Sequence, residues 1–248
     1  MSQNPAHLTP AGAGQLRCLD CTIRLRAICA YADLPVLAEL ERIKRYRSYA
    51  PGQTIATTCE EPSVVGSVIE GVAHISTLLP DGRRQMVGLL LPSDFVGRPG
   101  RSRIDYDVVA ATAVTLCTFR KPDFERIIAE NPANERRLLD MTLDELDAAR
   151  DWMTLLGRKS ARERVASLVL MMARRDASLV SRDARSGQRV PLRLTRQAIA
   201  DYLGLTIETV SRQFGALARD GLVVLGAQRT LELRDLHGLE AAAGEAAA

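Results

Sequence analysis

Residues 194–223 read LTRQAIADYLGLTIETVSRQFGALARDGLV, two short helix-forming runs divided by a single glycine. The first begins at Thr195, whose hydroxyl suits an N-cap, and carries Ile199, Tyr202 and Leu203 along one side. Gly204 supplies the left-handed residue that a sharp reversal requires. Thr206 then caps a second helix, in which Val210, Phe214 and Leu217 recur at i, i+4 and i+7 as a buried stripe. Glu208, Ser211 and Arg212 share the opposite face near its N-terminal end. Asp220-Gly221 ends the helix, and LVVLGAQRTLELR follows as two short strands around Gly226. This is the layout of a winged helix-turn-helix, whose second helix enters a DNA major groove. Other three-helix domains also contain a helix–glycine–helix, so the side chains carry the specificity of the motif. Glu208 can accept from cytosine N4 and Arg212 can grip guanine O6 and N7. Thr195, Arg196 and Gln197 open the first motif helix as further DNA-facing residues, with Arg196 expected on phosphate.

DNA readers of this kind bind inverted repeats as two-fold dimers, which directs attention upstream. Leu139, Thr142, Leu146, Ala149, Met153 and Leu156 recur at the alternating three- and four-residue steps of a coiled-coil seam. Glu135, Asp140, Asp144, Glu145 and Asp147 avoid that stripe. A lone amphipathic helix lying on its own domain gives a similar pattern over so short a length; the two-fold requirement favours the homodimer seam. Its central position by heptad count is Ala149, Thr142 is its only polar member, and the competing arrangement turns Arg150 or Asp151 into it. Between Arg158 and Arg196, Lys and Arg far outnumber the acids, which are Glu163, Asp176 and Asp183. Beside the motif, that excess suits a face turned towards phosphate rather than an ordinary solvated surface.

The remainder divides by pattern. Residues 1–16 lack the signature of structure and are expected to be disordered, and 17–49 read as short helices. From Gly52 to about Phe119 come short β-rich runs, GSVIEGVAHIST, LLPDGRRQMVGLLLP and DYDVVAATAVTLCTF, with Asp81-Gly82 as a hairpin turn. Strands at this spacing build a small barrel or sandwich. The domain plan is therefore a β-rich domain over 17–133 with a cysteine loop, a helix over 134–158, a winged helix domain over 159–236, and a low-complexity tail over 237–248 expected to be disordered. The class is α+β. At 46% hydrophobic, the 248 residues can fill one large or two modest cores. A net charge of +3 neither requires nor excludes nucleic acid.

The stretch RCLDCTIRLRAIC, residues 17–29, places Cys18, Cys21 and Cys29 close together among Arg17, Arg24 and Arg26. A disulfide, a metal site and plain burial all compete. The start of the chain has no basic segment leading into an apolar one, and no run is long enough to span a bilayer, so a cytoplasmic protein without membrane association is expected. Thiols stay reduced there, and five cysteines is an odd count, so a disulfide framework fits poorly. C-x-x-C also occurs in redox enzymes, but within a βαβ unit that is lacking here. No Ser/His/Asp or paired-carboxylate constellation accompanies the three histidines, so an enzyme is not expected.

IADYLGLTIETVSRQFGALARDGLV resembles the DNA-binding end of the CRP/FNR family of bacterial transcription regulators, and E-T-V-S-R resembles its FNR branch. The cyclic-AMP branch has arginine before that glutamate and glycine for the serine, where this chain has Ile207 and Ser211. The resemblance extends over nearly the whole chain and implies a cyclic-nucleotide-binding-like β-roll sensor, a dimerisation helix and a winged helix-turn-helix. It implies an inverted repeat of TTGAT half-sites on double-stranded DNA, with Glu208 and Arg212 reading the G·C pair and its neighbour and Ser211 the adjacent bases. It also implies a 4Fe-4S cluster, which needs four thiolates: Cys18, Cys21 and Cys29, with Cys117 at the family's fourth place in the β-roll. The second gap here, C-x7-C, is longer than in the best-known member. Oxygen would act on the cluster, and the apolar seam implies that the iron-free protein stays substantially dimeric, with reorientation about the Gly157–Ser160 joint. RNA polymerase is an implied partner, for which LPDGRRQ, residues 79–85, is the candidate surface.

Zinc is the alternative at the cysteines, though its sites favour two close pairs. Cys59 has no counterpart in the motif and is expected in the core. A CRP-like regulator of a different small-molecule or metal signal is the alternative function. Cyclic AMP itself is disfavoured, because Arg98 stands where a phosphate pocket needs glutamate, and Tyr106-Asp107 stand near its Arg-Ser place. His74, on a strand, suggests haem only weakly; a lone strand histidine is an ordinary structural residue.

Overall fold

The computed structural model describes residues 17–245 apart from 83 and 228. They form two compact units that divide between Asp147 and Ala148. The expectation of disorder over residues 1–16 lies outside the described residues.

In the first unit, two 3-10 turns, Cys18–Asp20 and Ile28–Tyr31, precede α1 (Leu34–Ile43). The Asp33 carboxylate starts α1 by accepting from the Val36 N–H at 2.9 Å. Eight strands follow: β1 (Arg45–Tyr49), β2 (Thr54–Ala56), β3 (Val64–Glu70), β4 (Ala73–Leu78), β5 (Arg84–Leu90), β6 (Phe95–Val96), β7 (Asp107–Ala110) and β8 (Val114–Arg120). They pair as two antiparallel sheets, in the orders β1-β8-β3-β6 and β2-β7-β4-β5, which make the β-roll. Between the sheets lies a core of Val68, Ile75, Val108, Val114 and Leu116.

The first sheet is also buried on its outer side. Side chains alternate along a strand, so Val114 and Leu116 of β8 enter the inner core while Cys117 and Phe119 point the other way. There they meet α1, the cysteine loop and α2 (Lys121–Glu130), in a second core built on Ile28, Leu40, Phe119, Phe124 and Ile127. Gly66 of β3 allows close pairing at this point, since a methyl group there would strike the Cys117 carbonyl oxygen.

Three elements of this unit differ from the sequence reading. Residues 45–49, expected as helix, form β1, an edge strand paired, among the described residues, only with β8; its sequence RYRSY is polar because one face meets water. The helix α2 was not anticipated, its short span carrying a proline at the second position. Cys59, expected in the core, is exposed on a turn with φ 64°.

α3 (Pro132–Arg158) is continuous across the division between the units. Its solvent-facing apolar residues are Leu139, Leu143, Leu146 and Met153, each 45–59% exposed. At about 100° per residue, these four and Arg150 occupy one side of the helix. Of the other residues expected in the seam, Ala149 and Leu156 are half-buried to the flank of this stripe and Thr142 is exposed at its margin, while Leu143 lies within it.

The second unit opens with α4 (Ala161–Ser178), started by a reciprocal cap in which the Ser160 N–H donates to Glu163 Oε2 at 2.6 Å and the Glu163 N–H donates to Ser160 Oγ. Then come β9 (Arg189–Pro191), α5 (Arg196–Leu203), α6 (Ile207–Arg219), β10 (Val223–Leu225), β11 (Thr230–Leu233) and α7 (Leu236–Ala242). The expected strand pair is a three-stranded sheet, β10-β11-β9. Much of the tail expected to be disordered is α7, held by buried Leu239 and Ala243 and by Arg174, which pairs with Glu240 at 3.0 Å and Glu245 at 2.7 Å. Residues 246–248 lie outside the described part.

The Gly157–Ser160 joint is braced. Arg164 donates to the carbonyls of Leu156 at 2.8 Å, Lys159 at 2.9 Å and Leu203 at 2.9 Å, and Trp152 Nε1 donates to the Tyr202 carbonyl at 3.3 Å. The last turns of α3 thus belong to the second unit. Arg164→Ala is expected to lower the stability of this unit by about 2–4 kcal/mol, read by urea unfolding followed through the fluorescence of the single tryptophan, Trp152.

Candidate DNA-binding face and cysteine cluster

Thr195 caps α5 by accepting from the Ala198 N–H at 3.0 Å, and Gly204 turns the chain with φ 62° and ψ 41°. Thr206 caps α6 in the same way, accepting from the Thr209 N–H at 3.2 Å. Val210, Phe214 and Leu217 are fully buried, so the opposite face of α6 must point outward. Glu208, Ser211 and Arg212 all lie exposed there. Hydrogen bonds from its own backbone N–H and from the Thr206 side chain hold the Glu208 carboxyl below the usual carboxylate range, leaving it an acceptor. Arg212 Nη2 donates to Thr209 Oγ1 at 3.4 Å, a weak tether that leaves the guanidinium outward.

The residues at the start of α5 are more occupied than expected. The Arg196 guanidinium lies 3.6 Å from the centre of the Phe214 ring and is half-buried, so it fastens α5 to α6 besides any contact with phosphate. Gln197 is exposed, with its amide on Asp201 at 2.6 Å, and Thr195 is half-buried as the cap. The basic run is partly spent internally, on the Arg162–Asp220 pair at 2.5 Å, on Arg174 and on Arg164.

In the first unit, the outward turn of Cys117 from β8 places it beside the cysteine loop. Cys18 is buried in the outer core, and Cys29 and Cys117 pack against that core. Burial pushes the Cys117 thiol well up, and the charges of Cys18, Cys21 and Cys29 raise it further while Lys44 opposes them. Burial also raises Cys29 to about 11, with Cys21 and Cys18 adding to it. The four thiols therefore lie near enough to feel one another, and Lys44 Nζ donates to Cys18 Sγ at 3.6 Å. Among the described residues, no group of three or more His, Cys, Asp or Glu side chains is arranged to hold a metal ion, so the thiols are gathered rather than converged on one point. Cys59 has no part in the group.

Sequence reasoning missed Asn134 and Arg137, which join α3 to the cysteine loop; polar residues at the start of an amphipathic helix carry no signal of a distant partner. His74 is a buried residue of β4. Arg98 pairs with Asp105 at 3.6 Å and lies 5.7 Å from the Tyr106 ring, so the segment that would cradle a cyclic phosphate holds its own acid and aromatic. The hairpin over residues 79–85 is exposed as expected, with residue 83 outside the described part. No helix among the described residues is long and apolar enough to cross a membrane.

A β-roll followed by a helix-turn-helix with an outward-facing second helix defines a DNA-binding transcription regulator rather than an enzyme. A cyclic nucleotide-binding domain matches residues 46–131 and a Crp-like helix-turn-helix domain matches 163–242. The chain is 53% identical over 229 residues to the transcriptional activator protein FnrL of Cereibacter sphaeroides, covering 92% of each. It is 43% identical to the nitrogen fixation regulation protein FixK of Bradyrhizobium diazoefficiens, covering 84% of this chain and 86% of that one. The structure of FixK2 from Bradyrhizobium japonicum superposes with a TM-score of 0.71 at 33% identity, over 83% of this chain and 99% of that one. The chain belongs to the CRP/FNR family, whose members bind DNA as dimers through this domain.

The thiol environments set an order of reactivity, since the thiolate is the nucleophile. In reduced, iron-free protein at about pH 8, iodoacetamide is expected to modify exposed Cys59 first and Cys117 last. The Cys29 rate should climb as the pH approaches its raised value of about 11, as followed by peptide mass spectrometry.

Proposed function

We propose that this regulator senses oxygen through a 4Fe-4S cluster held by Cys18, Cys21, Cys29 and Cys117, and as a dimer binds an inverted repeat of TTGAT half-sites to activate genes of low-oxygen metabolism. The observation that carries the reading is the outward turn of Cys117 from β8, which brings a fourth thiol to three that lie far away in sequence. The donor set fits: four cysteines are what such a cluster requires, and Lys44 beside Cys18 offsets part of their accumulated negative charge. When bound, the cluster supplies the oxygen-sensitive chemistry.

The chain's own residues do the rest. The outer core holds the cysteine loop against β8 and α1. The exposed stripe of Leu139, Leu143, Leu146 and Met153 is the surface proposed to meet its copy in a second chain. Arg150, on the same side of α3, leaves that seam less apolar than the expected Ala149 would, which favours a dimer that responds to the sensor. Two-fold pairing sets two α6 helices one DNA turn apart, each presenting Glu208, Ser211 and Arg212. The exposed hairpin over residues 79–85 is the surface proposed for RNA polymerase.

Two variants test this reading. Cys117→Ala, purified without oxygen, is expected to lose the cluster, judged by iron and sulfide counts and visible absorption, whereas Cys59→Ala retains it. Full iron content in Cys117→Ala would remove the assignment. Arg212→Ala is expected to weaken specific binding by roughly 1–3 kcal/mol and to relax the preference at one guanine. Gel retardation with single-base operator variants checks this.

A further inference from the structure

We infer that Asn134 and Arg137 are positioning residues that carry the condition of the cysteine loop into α3, by gripping the loop's main chain just before Cys29. This rests on the reading that the loop holds the cluster. Asn134 is 1% exposed, and its Nδ2 donates to the Ile28 carbonyl at 3.1 Å. One turn along, Arg137 Nε donates to the Ala27 carbonyl at 3.3 Å and Nη2 donates to the Arg26 carbonyl. The same guanidinium lies 5.7 Å from the Tyr31 ring. Three successive carbonyls, Arg26, Ala27 and Ile28, are thus held by two side chains of one helix.

Those carbonyls stand at the entry to the 3-10 turn Ile28–Tyr31, which carries Cys29. A change in the position of Cys29 must rotate them, because peptide planes on either side of a residue turn with its backbone angles. Asn134 cannot be left behind without cost, since a buried amide that loses its partner is destabilising. An arginine fork across two carbonyls is equally bound to their relative orientation.

The placement on α3 gives the grip a direction. At about 100° per residue, Asn134 and Arg137 lie on the side of the helix opposite Leu139, Leu143 and Leu146. Met141, between Asn134 and Arg137 around the helix on the gripping side, and Leu138 at its flank pack against the outer core. The helix therefore holds the loop with one face and presents the apolar stripe with the other, so that a roll or shift imposed through the carbonyls moves the stripe by the same amount. Because main-chain groups are gripped, the relay reads the shape of the loop and not its side chains.

The test uses the full chain, anaerobic and loaded, beside the same chain freed of iron. In the unaltered protein, loading is expected to tighten the monomer–dimer equilibrium about tenfold, within the ordinary range of coupling, and to slow hydrogen exchange over residues 132–146. In Arg137→Ala, iron and sulfide content is expected to stay as in the unaltered chain, while the tightening shrinks to within about twofold and the exchange difference disappears. Arg137→Lys keeps the charge but cannot span two carbonyls, and is expected to fall between. Should Arg137→Ala fail to fold, Arg137→Gln is read in its place, with the same expectation. A fully loaded variant that keeps the unaltered responses overturns the relay. An unaltered chain that loads iron with no change in dimerisation or exchange overturns the relay alone, whereas one that takes up no iron overturns the cluster assignment and the relay with it.

Discussion

The first unit depends on a sheet that is buried on both faces. Strand alternation sends Val114 and Leu116 of β8 into the β-roll and Cys117 and Phe119 out of it. The outer face would be an exposed apolar patch were it not covered by α1, α2 and the cysteine loop. Covering it joins the N-terminal cysteines to the β-roll, so the same apolar burial that stabilises the domain also gathers the thiols. Gly66 completes the arrangement by admitting the Cys117 backbone. A one-residue slip of β8 would turn Cys117 inward and dissolve both the outer core and the thiol group.

Downstream, α3 is shared between the units, and its residues sort by side. Near its start, Asn134 and Arg137 hold the cysteine loop; near its end, Trp152 and the neighbourhood of Leu156 are held by the second unit. The apolar stripe lies away from these attachments. The hydrogen bonds of Arg164 to Leu156, Lys159 and Leu203 lie within the second unit. In the second unit, charge that could serve DNA is partly committed to internal order: Arg196 over Phe214, Arg162 on Asp220 and Arg174 on the C-terminal helix. The outward Glu208, Ser211 and Arg212 remain available, which is what a reading helix needs.

The sequence by itself determined the helix-turn-helix, because every signal lies within one short segment: two threonine caps, a left-handed glycine and a stripe at helical spacing are local facts of the backbone. It determined the β-roll to the level of strands and turns, and it picked out the four thiols only through resemblance. Only the tertiary structure decided which side of β8 faces the loop, that Cys59 is exposed, that RYRSY is an edge strand and that the C-terminal run folds as α7. Only it exchanged Ala149 for Leu143 and Arg150 in the exposed stripe, and joined Asn134 and Arg137 to carbonyls about a hundred residues earlier. The physical reason is range. Caps, turns and periodicities are fixed by neighbours along the chain, whereas register, burial of a sheet's second face and side-chain to main-chain grips are fixed by contacts between distant segments, which leave no periodic mark on either one.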